Sequence, residues 1–72
     1  MSDYTIQHLA HDGMWYTDAY SRLRTYDNAA DVESTARWLS ELDVYKDTPI
    51  RTLYGDSLTP VHVYYNGDEV TP

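Results

Sequence analysis

The sequence predicts an α+β fold: a small antiparallel sheet in ββαββ order, covered on one face by a single amphipathic helix. Three observations predict it. A capped segment with a 3.6-residue apolar period sits mid-chain, β-rich runs flank it on both sides, and the dipeptides Asp12-Gly13 and Asn66-Gly67 fall between such runs. With 72 residues the chain makes one domain, 1–72.

The first element is a hairpin. If Asp12-Gly13 forms a two-residue type I′ turn, His11 faces Met14, Ala10 faces Trp15, Leu9 faces Tyr16, His8 faces Thr17 and Ile6 faces Ala19. Side chains alternate along a strand, so Ile6, His8, Ala10, Trp15, Thr17 and Ala19 share the face expected beneath the helix. Leu9, His11, Met14, Tyr16, Asp18 and Tyr20 share the outer face. Residues 21–27 then continue the second strand or form a short third one.

The helix is predicted from about Ala29 to Asp43. Asn28 is a favoured N-cap, and Asp31 and Glu33 put negative charge in the first turn, where the helix dipole favours it. At 100° per residue Ala29, Val32, Thr35, Ala36, Trp38, Leu39 and Leu42 form the core-facing arc. Glu33, Ser34, Arg37, Ser40 and Glu41 fall opposite, with Glu33–Arg37 and Arg37–Glu41 as i,i+4 pairs. Asp43 and Asp47 sit badly at the negative end of the helix, and Pro49 forbids continuation. Beyond it, Ile50–Tyr54 and Pro60–Tyr65 read as strands. Asn66-Gly67 turns the chain back so that Val63 faces Val70 and Tyr64 faces Glu69, in a short last strand.

Composition bounds the function. Eight tyrosines and two tryptophans occur without phenylalanine or cysteine. Such rings pair an apolar body with a polar handle and suit surfaces that a partner covers. Without phenylalanine some tyrosines must fill the core, and Tyr45, Tyr54 and Tyr65 are expected there. The absence of cysteine removes disulfides and thiolate zinc sites, so a small core is expected to gain from a partner subunit. Twelve carboxylates against five basic residues leave a net charge of −7, which opposes nucleic acid and anionic membranes and favours basic protein surfaces. Direct nucleic-acid binding is therefore not expected. The start lacks a secretory pattern, and no apolar run approaches the roughly 18 residues of a membrane span, so a cytoplasmic protein is expected.

No Gly-x-Ser-x-Gly elbow, phosphate loop or His-Glu-x-x-His pattern occurs, and neither catalysis nor a cofactor is expected. His8 and His11 have a spacing that suits a metal only on a helix; on a strand they point to opposite sides, so no metal site is expected. Arg22 and Arg24 share a strand face beside Tyr20 and Tyr26, the ingredients of an alternative nucleic-acid module in which rings stack bases.

Asp12-Gly13-Met14-Trp15 through Arg24-Thr25-Tyr26, then Asn28-Ala29-Ala30-Asp31 to Trp38-Leu39, resembles the Arm-type DNA-binding domains of phage integrases. The likeness rests on Gly13, Trp15, Asn28, Trp38 and Leu39 and covers under half of the chain. It implies a sheet followed by a capped helix. The chain lacks the lysines with which those domains touch DNA, so their function is not implied. In size, acidity and tyrosine content it is also similar to small accessory proteins of bacteriophages, anti-CRISPR inhibitors among them, which implies action in a host cytoplasm.

The function expected is that of a small acidic protein-binding module, an inhibitor or adaptor docking on a larger protein with a basic surface, such as a host nucleic-acid enzyme. In its strictest version the module mimics nucleic acid. The contact residues expected are Tyr16, Asp18, Tyr20, Leu9 and Met14 on the outer hairpin face, and Tyr64 and Glu69 on the last hairpin. A structural homodimer through the aromatic face is the other alternative.

Overall fold

A computed structural model describes residues 4–19 and 28–70. Among these, five strands and one α-helix follow in order: β1 (Tyr4–Leu9), β2 (Trp15–Thr17), α1 (Ala29–Glu41), a 3-10 turn (Asp43–Tyr45), β3 (Ile50–Tyr54), β4 (His62–Tyr65) and β5 (Asp68–Val70). The strands form one antiparallel sheet in the order β2-β1-β3-β4-β5, with α1 across one face. The α+β class is as the sequence predicts. Asp68–Val70 is a full member of the sheet, so the described order is ββαβββ.

Register explains what faces the helix. Ile6 pairs with Thr52 and His8 with Ile50, while Ile50 pairs with Tyr64 and Thr52 with His62. These residues therefore share the helix side with Tyr16 and Glu69, the partners of His8 and Tyr64. The core on this side is Ile6, Val32, Ala36, Leu39, Ile50 and Tyr64, with Tyr4, Leu42 and Tyr45 packed around it. Tyr64 is the buried ring; Tyr45 is partly buried, whereas Tyr54 and Tyr65 are exposed, which corrects the expectation that they fill the core. On the opposite face the Arg51 guanidinium lies over the Trp15 ring, 4.2 Å from its centre, and its Nε–H donates to Gln7 Oε1 at 2.9 Å.

The first hairpin departs from its predicted register by one residue. Leu9 pairs with Trp15, His8 with Tyr16 and Gln7 with Thr17. A type I′ turn needs positive φ at both central residues, and Asp12 is not among the positive-φ residues. Instead the Gly13 N–H donates to Ala10 O at 3.0 Å, Gly13 takes φ 84°, and the Ala10 N–H donates to Met14 O at 2.9 Å. This is a three-residue loop with a bulge at the glycine. Asp12 holds it shut, accepting from the Met14 N–H at 2.9 Å and from the Tyr16 hydroxyl at 2.6 Å. Asn66-Gly67 does adopt the predicted turn, with φ of 51° and 87°, and Val63–Val70 and Tyr64–Glu69 pair as expected.

The helix starts where the sequence places it. Asn28 Oδ1 accepts from the Ala30 and Asp31 N–H groups at 2.8 and 3.4 Å. It ends at Glu41 rather than Asp43, passing through Leu42 into the 3-10 turn with no basic residue in its last turn. Three helical positions are reversed relative to the periodicity: Ala29 and Trp38 are exposed and Ser40 is buried. No described helix is long and apolar enough to cross a membrane.

Candidate functional site

The expected outer face of the first hairpin does not exist as one surface. The one-residue shift sends Tyr16 to the helix side of the sheet and leaves Leu9 with Trp15 on the other. Asp18 has no exposed surface and cannot select a partner. It accepts a hydrogen bond from the Tyr45 hydroxyl, and His8 Nδ1 lies 3.4 Å from its Oδ1. That contact is not a hydrogen bond, so His8 serves as a packed neighbour of the carboxylate. Met14 and Tyr16 remain exposed, at the turn and on the sheet edge. Tyr20, with Arg22, Arg24 and Tyr26, lies outside the described residues. His8 faces the helix side, as its strand position requires, while His11 sits exposed in the turn.

The last hairpin is where the structure brings expected residues together with unexpected ones. The Glu33, Arg37 and Glu41 stripe, spaced by one helical turn, runs beside β4 and β5. At one end His62, on β4, reaches both ways. Its Nε2 meets Glu33 Oε1 from α1, and its Nδ1 lies 2.8 Å from Glu69 Oε2 on β5. Next to it Tyr64 forms the floor of a groove of about 280 Å³ lined by Ala30, Glu33, Ser34, Arg37 and Glu69. Arg37 lies over the Tyr64 ring, 5.5 Å from its centre. Burial pushes the Tyr64 hydroxyl pKa up, and the charges of Glu33 and Glu69 push the same way, against Arg37. Tyr64 is thus a buried floor rather than an exposed anchor.

At the middle of the seam Ser40 explains its own burial. The Gly67 N–H donates to Ser40 Oγ at 3.0 Å, tying turn to helix, while Ser40 Oγ–H donates to Arg37 O at 2.7 Å. The Glu41 side chain lies directly against Gly67. A second groove, of about 220 Å³, is lined by Ser40, Glu41, Leu42, Asp43, Lys46 and Asn66. Asp47 is tied to the last turn: its N–H donates to Asn66 Oδ1 at 2.9 Å and its Oδ1 accepts from Asn66 Nδ2 at 3.0 Å. Glu33 and Glu69 therefore line one groove with Arg37, and Glu41 and Asp43 line the other with Lys46.

Of this seam the sequence points to Tyr64 and Glu69 as contact residues. The i,i+4 spacing of Glu33, Arg37 and Glu41 was the available signal for the rest, because it aligns them on one stripe; which strand the stripe borders has no local signature. Among the described residues no group of three or more histidine, aspartate and glutamate side chains is placed to hold a metal ion. In the seam both nitrogens of His62 already face carboxylates. The arrangement offers separated carboxylates in open grooves, which suits the contact of cationic groups more than bond-making. No family model, no curated protein and no solved structure matches the chain.

Proposed function

We propose that the protein is a small acidic binding module, an inhibitor or adaptor acting in the cytoplasm, that docks its helix–hairpin seam onto a basic surface of a larger protein. One observation carries the reading: carboxylates from α1, the 3-10 turn and β5, separate in sequence, line two grooves between the helix and the last hairpin. A net charge of −7 adds long-range attraction for a basic partner. Nucleic-acid enzymes present such surfaces and are the partner class this charge pattern suits best.

Charge density decides between docking and strict mimicry. Glu33 and Glu41 are two helical turns apart, about 12 Å. Duplex DNA carries about seven charges over that length. The seam offers Glu33, Glu69 and Glu41 there, partly offset by Arg37 and His62. Its density supports docking on a basic patch, with a partner contributing its own shape, more than replacement of a phosphate backbone.

The test uses an immobilised arginine-rich peptide as the basic probe, with affinity read at about 50 and 200 mM salt. The triple variant Glu33→Gln, Glu41→Gln, Asp43→Asn is compared with a charge-matched control, Asp12→Asn, Asp56→Asn, Asp68→Asn. The seam variant is expected to bind about tenfold more weakly than the control, a difference of about 1.4 kcal/mol, and wild-type affinity to fall with salt. Equal losses in the two variants would show that net charge, not the seam, governs contact.

A further inference from the structure

We propose that His62 is a proton-operated clasp holding the edge strand β5 against the helix. The ring stands on β4 and touches carboxylates on two other elements: Glu33 of α1 at Nε2, and Glu69 of β5 at Nδ1, 2.8 Å away. An ionised carboxylate only accepts hydrogen bonds. A neutral imidazole donates from one nitrogen and presents a lone pair at the other, while an imidazolium donates from both. Only the doubly protonated ring satisfies both neighbours. Once it loses a proton, one carboxylate faces a lone pair, and Glu33 and Glu69 repel across an uncharged ring.

The described groups that face His62 favour this two-state behaviour. From α1 come Glu33 and, one turn on, Arg37 over the neighbouring Tyr64 ring. From β4 comes Tyr64, stacked at 6.1 Å, and from β5 Glu69. From β3 comes neutral Thr52, whose hydroxyl oxygen accepts from the His62 backbone N–H at 3.2 Å. Glu33 has an alternative partner in Arg37, its i,i+4 neighbour, so it can leave a neutral ring at small cost. Among the described residues Glu69 has no second side-chain partner, and its strand is short. β5 is three exposed residues at the sheet edge, held to the helix layer otherwise through Gly67. Histidine ordinarily titrates between about pH 5 and 8. The clasp therefore closes toward acid pH, where the ring is doubly protonated, and opens toward alkaline pH.

Opening also frees both carboxylates, so docking through the seam strengthens as pH rises; this consequence rests on the proposed function, whereas the clasp itself is tested without a partner. The measurement is ¹⁵N relaxation on the 72-residue chain at pH 5.5 and pH 8. Order parameters at Glu69 and Val70 are expected to fall from about 0.85, a rigid backbone, toward about 0.6 at the higher pH. Those of β1 and β3 should hold. Glu69→Gln, an exposed substitution, should abolish the pH difference, and so should His62→Gln. Equal order parameters at the two pH values, or a difference that survives in Glu69→Gln, would overturn the clasp. A basic-probe affinity that ignores pH while β5 still loosens would count against the docking reading alone.

Discussion

Asp12 and Asp18 carry the same side chain and meet opposite fates, which shows how little residue identity settles by itself. Asp18 is enclosed, and its carboxylate is matched by the Tyr45 hydroxyl, a contact that ties the first hairpin to the turn after the helix. A buried acceptor stripped of its donor loses on the order of 1–3 kcal/mol, so the pairing belongs to the structure rather than to recognition. Asp12 stays in solvent, yet its carboxyl pKa lies below the usual range, chiefly because the Tyr16 hydroxyl donates to it and then because the Met14 N–H does. The same contact raises the Tyr16 hydroxyl pKa, first through the hydrogen bond to Asp12 and then through its charge. A lowered carboxyl pKa means that Asp12 supports the folded hairpin above its unfolded value and loses that support as pH falls through its folded value. Tyr16→Phe is therefore expected to move the Asp12 titration upward, toward the ordinary carboxylate range, in a carboxyl ¹³C NMR titration. An unmoved midpoint would show that the tyrosine is not the cause.

The two Asx-Gly turns separate local preference from local bonding at the scale of the element. Asn66 accepts positive φ, and Gly67 follows it, so the last hairpin closes on two residues and the predicted register holds. Asp12 spends both carboxylate oxygens on Met14 and Tyr16, which favours a three-residue loop and shifts every side chain of β2 by one place. The helix is the opposite case, where cap, start and most of the buried arc follow from sequence. Its dependence on the cap is measurable: Asn28→Ala removes the acceptor for the Ala30 and Asp31 N–H groups. A loss of about 1 kcal/mol is expected in urea unfolding, with the m-value unchanged. A change under a few tenths would mean that tertiary packing alone holds the first turn.

Charge is the property of the whole molecule. With −7 over a chain whose Cα radius of gyration is 10.9 Å, the carboxylates repel one another across the fold. Exposed pairs such as His62–Glu69 contribute at most about 1 kcal/mol and are screened together with that repulsion. Repulsion among the more numerous acids outweighs them. Raising salt from about 10 to 200 mM is thus expected to lift the melting temperature by about 2–5 °C, while docking of the seam on a basic probe weakens. A melting temperature that falls with salt would show that the ion pairs dominate instead.

The amino-acid sequence by itself determined the α+β class, the Asn28 cap, the span of β3, the last turn and its pairing, because each depends on periodicity, φ preference or a hydrogen bond between near neighbours. Tertiary structure decided which tyrosine enters the core, why Ser40 is buried while Trp38 is not, and where the acids converge. Tyr64 and Ser40 are covered because α1 and the Asn66-Gly67 turn meet, a contact across 27 residues for Ser40 and Gly67. Whether Asp12 bends the first loop depended equally on where Tyr16 came to rest. Side-chain contacts between distant segments have no period and no local bond to announce them, and both the seam and its histidine are made of such contacts.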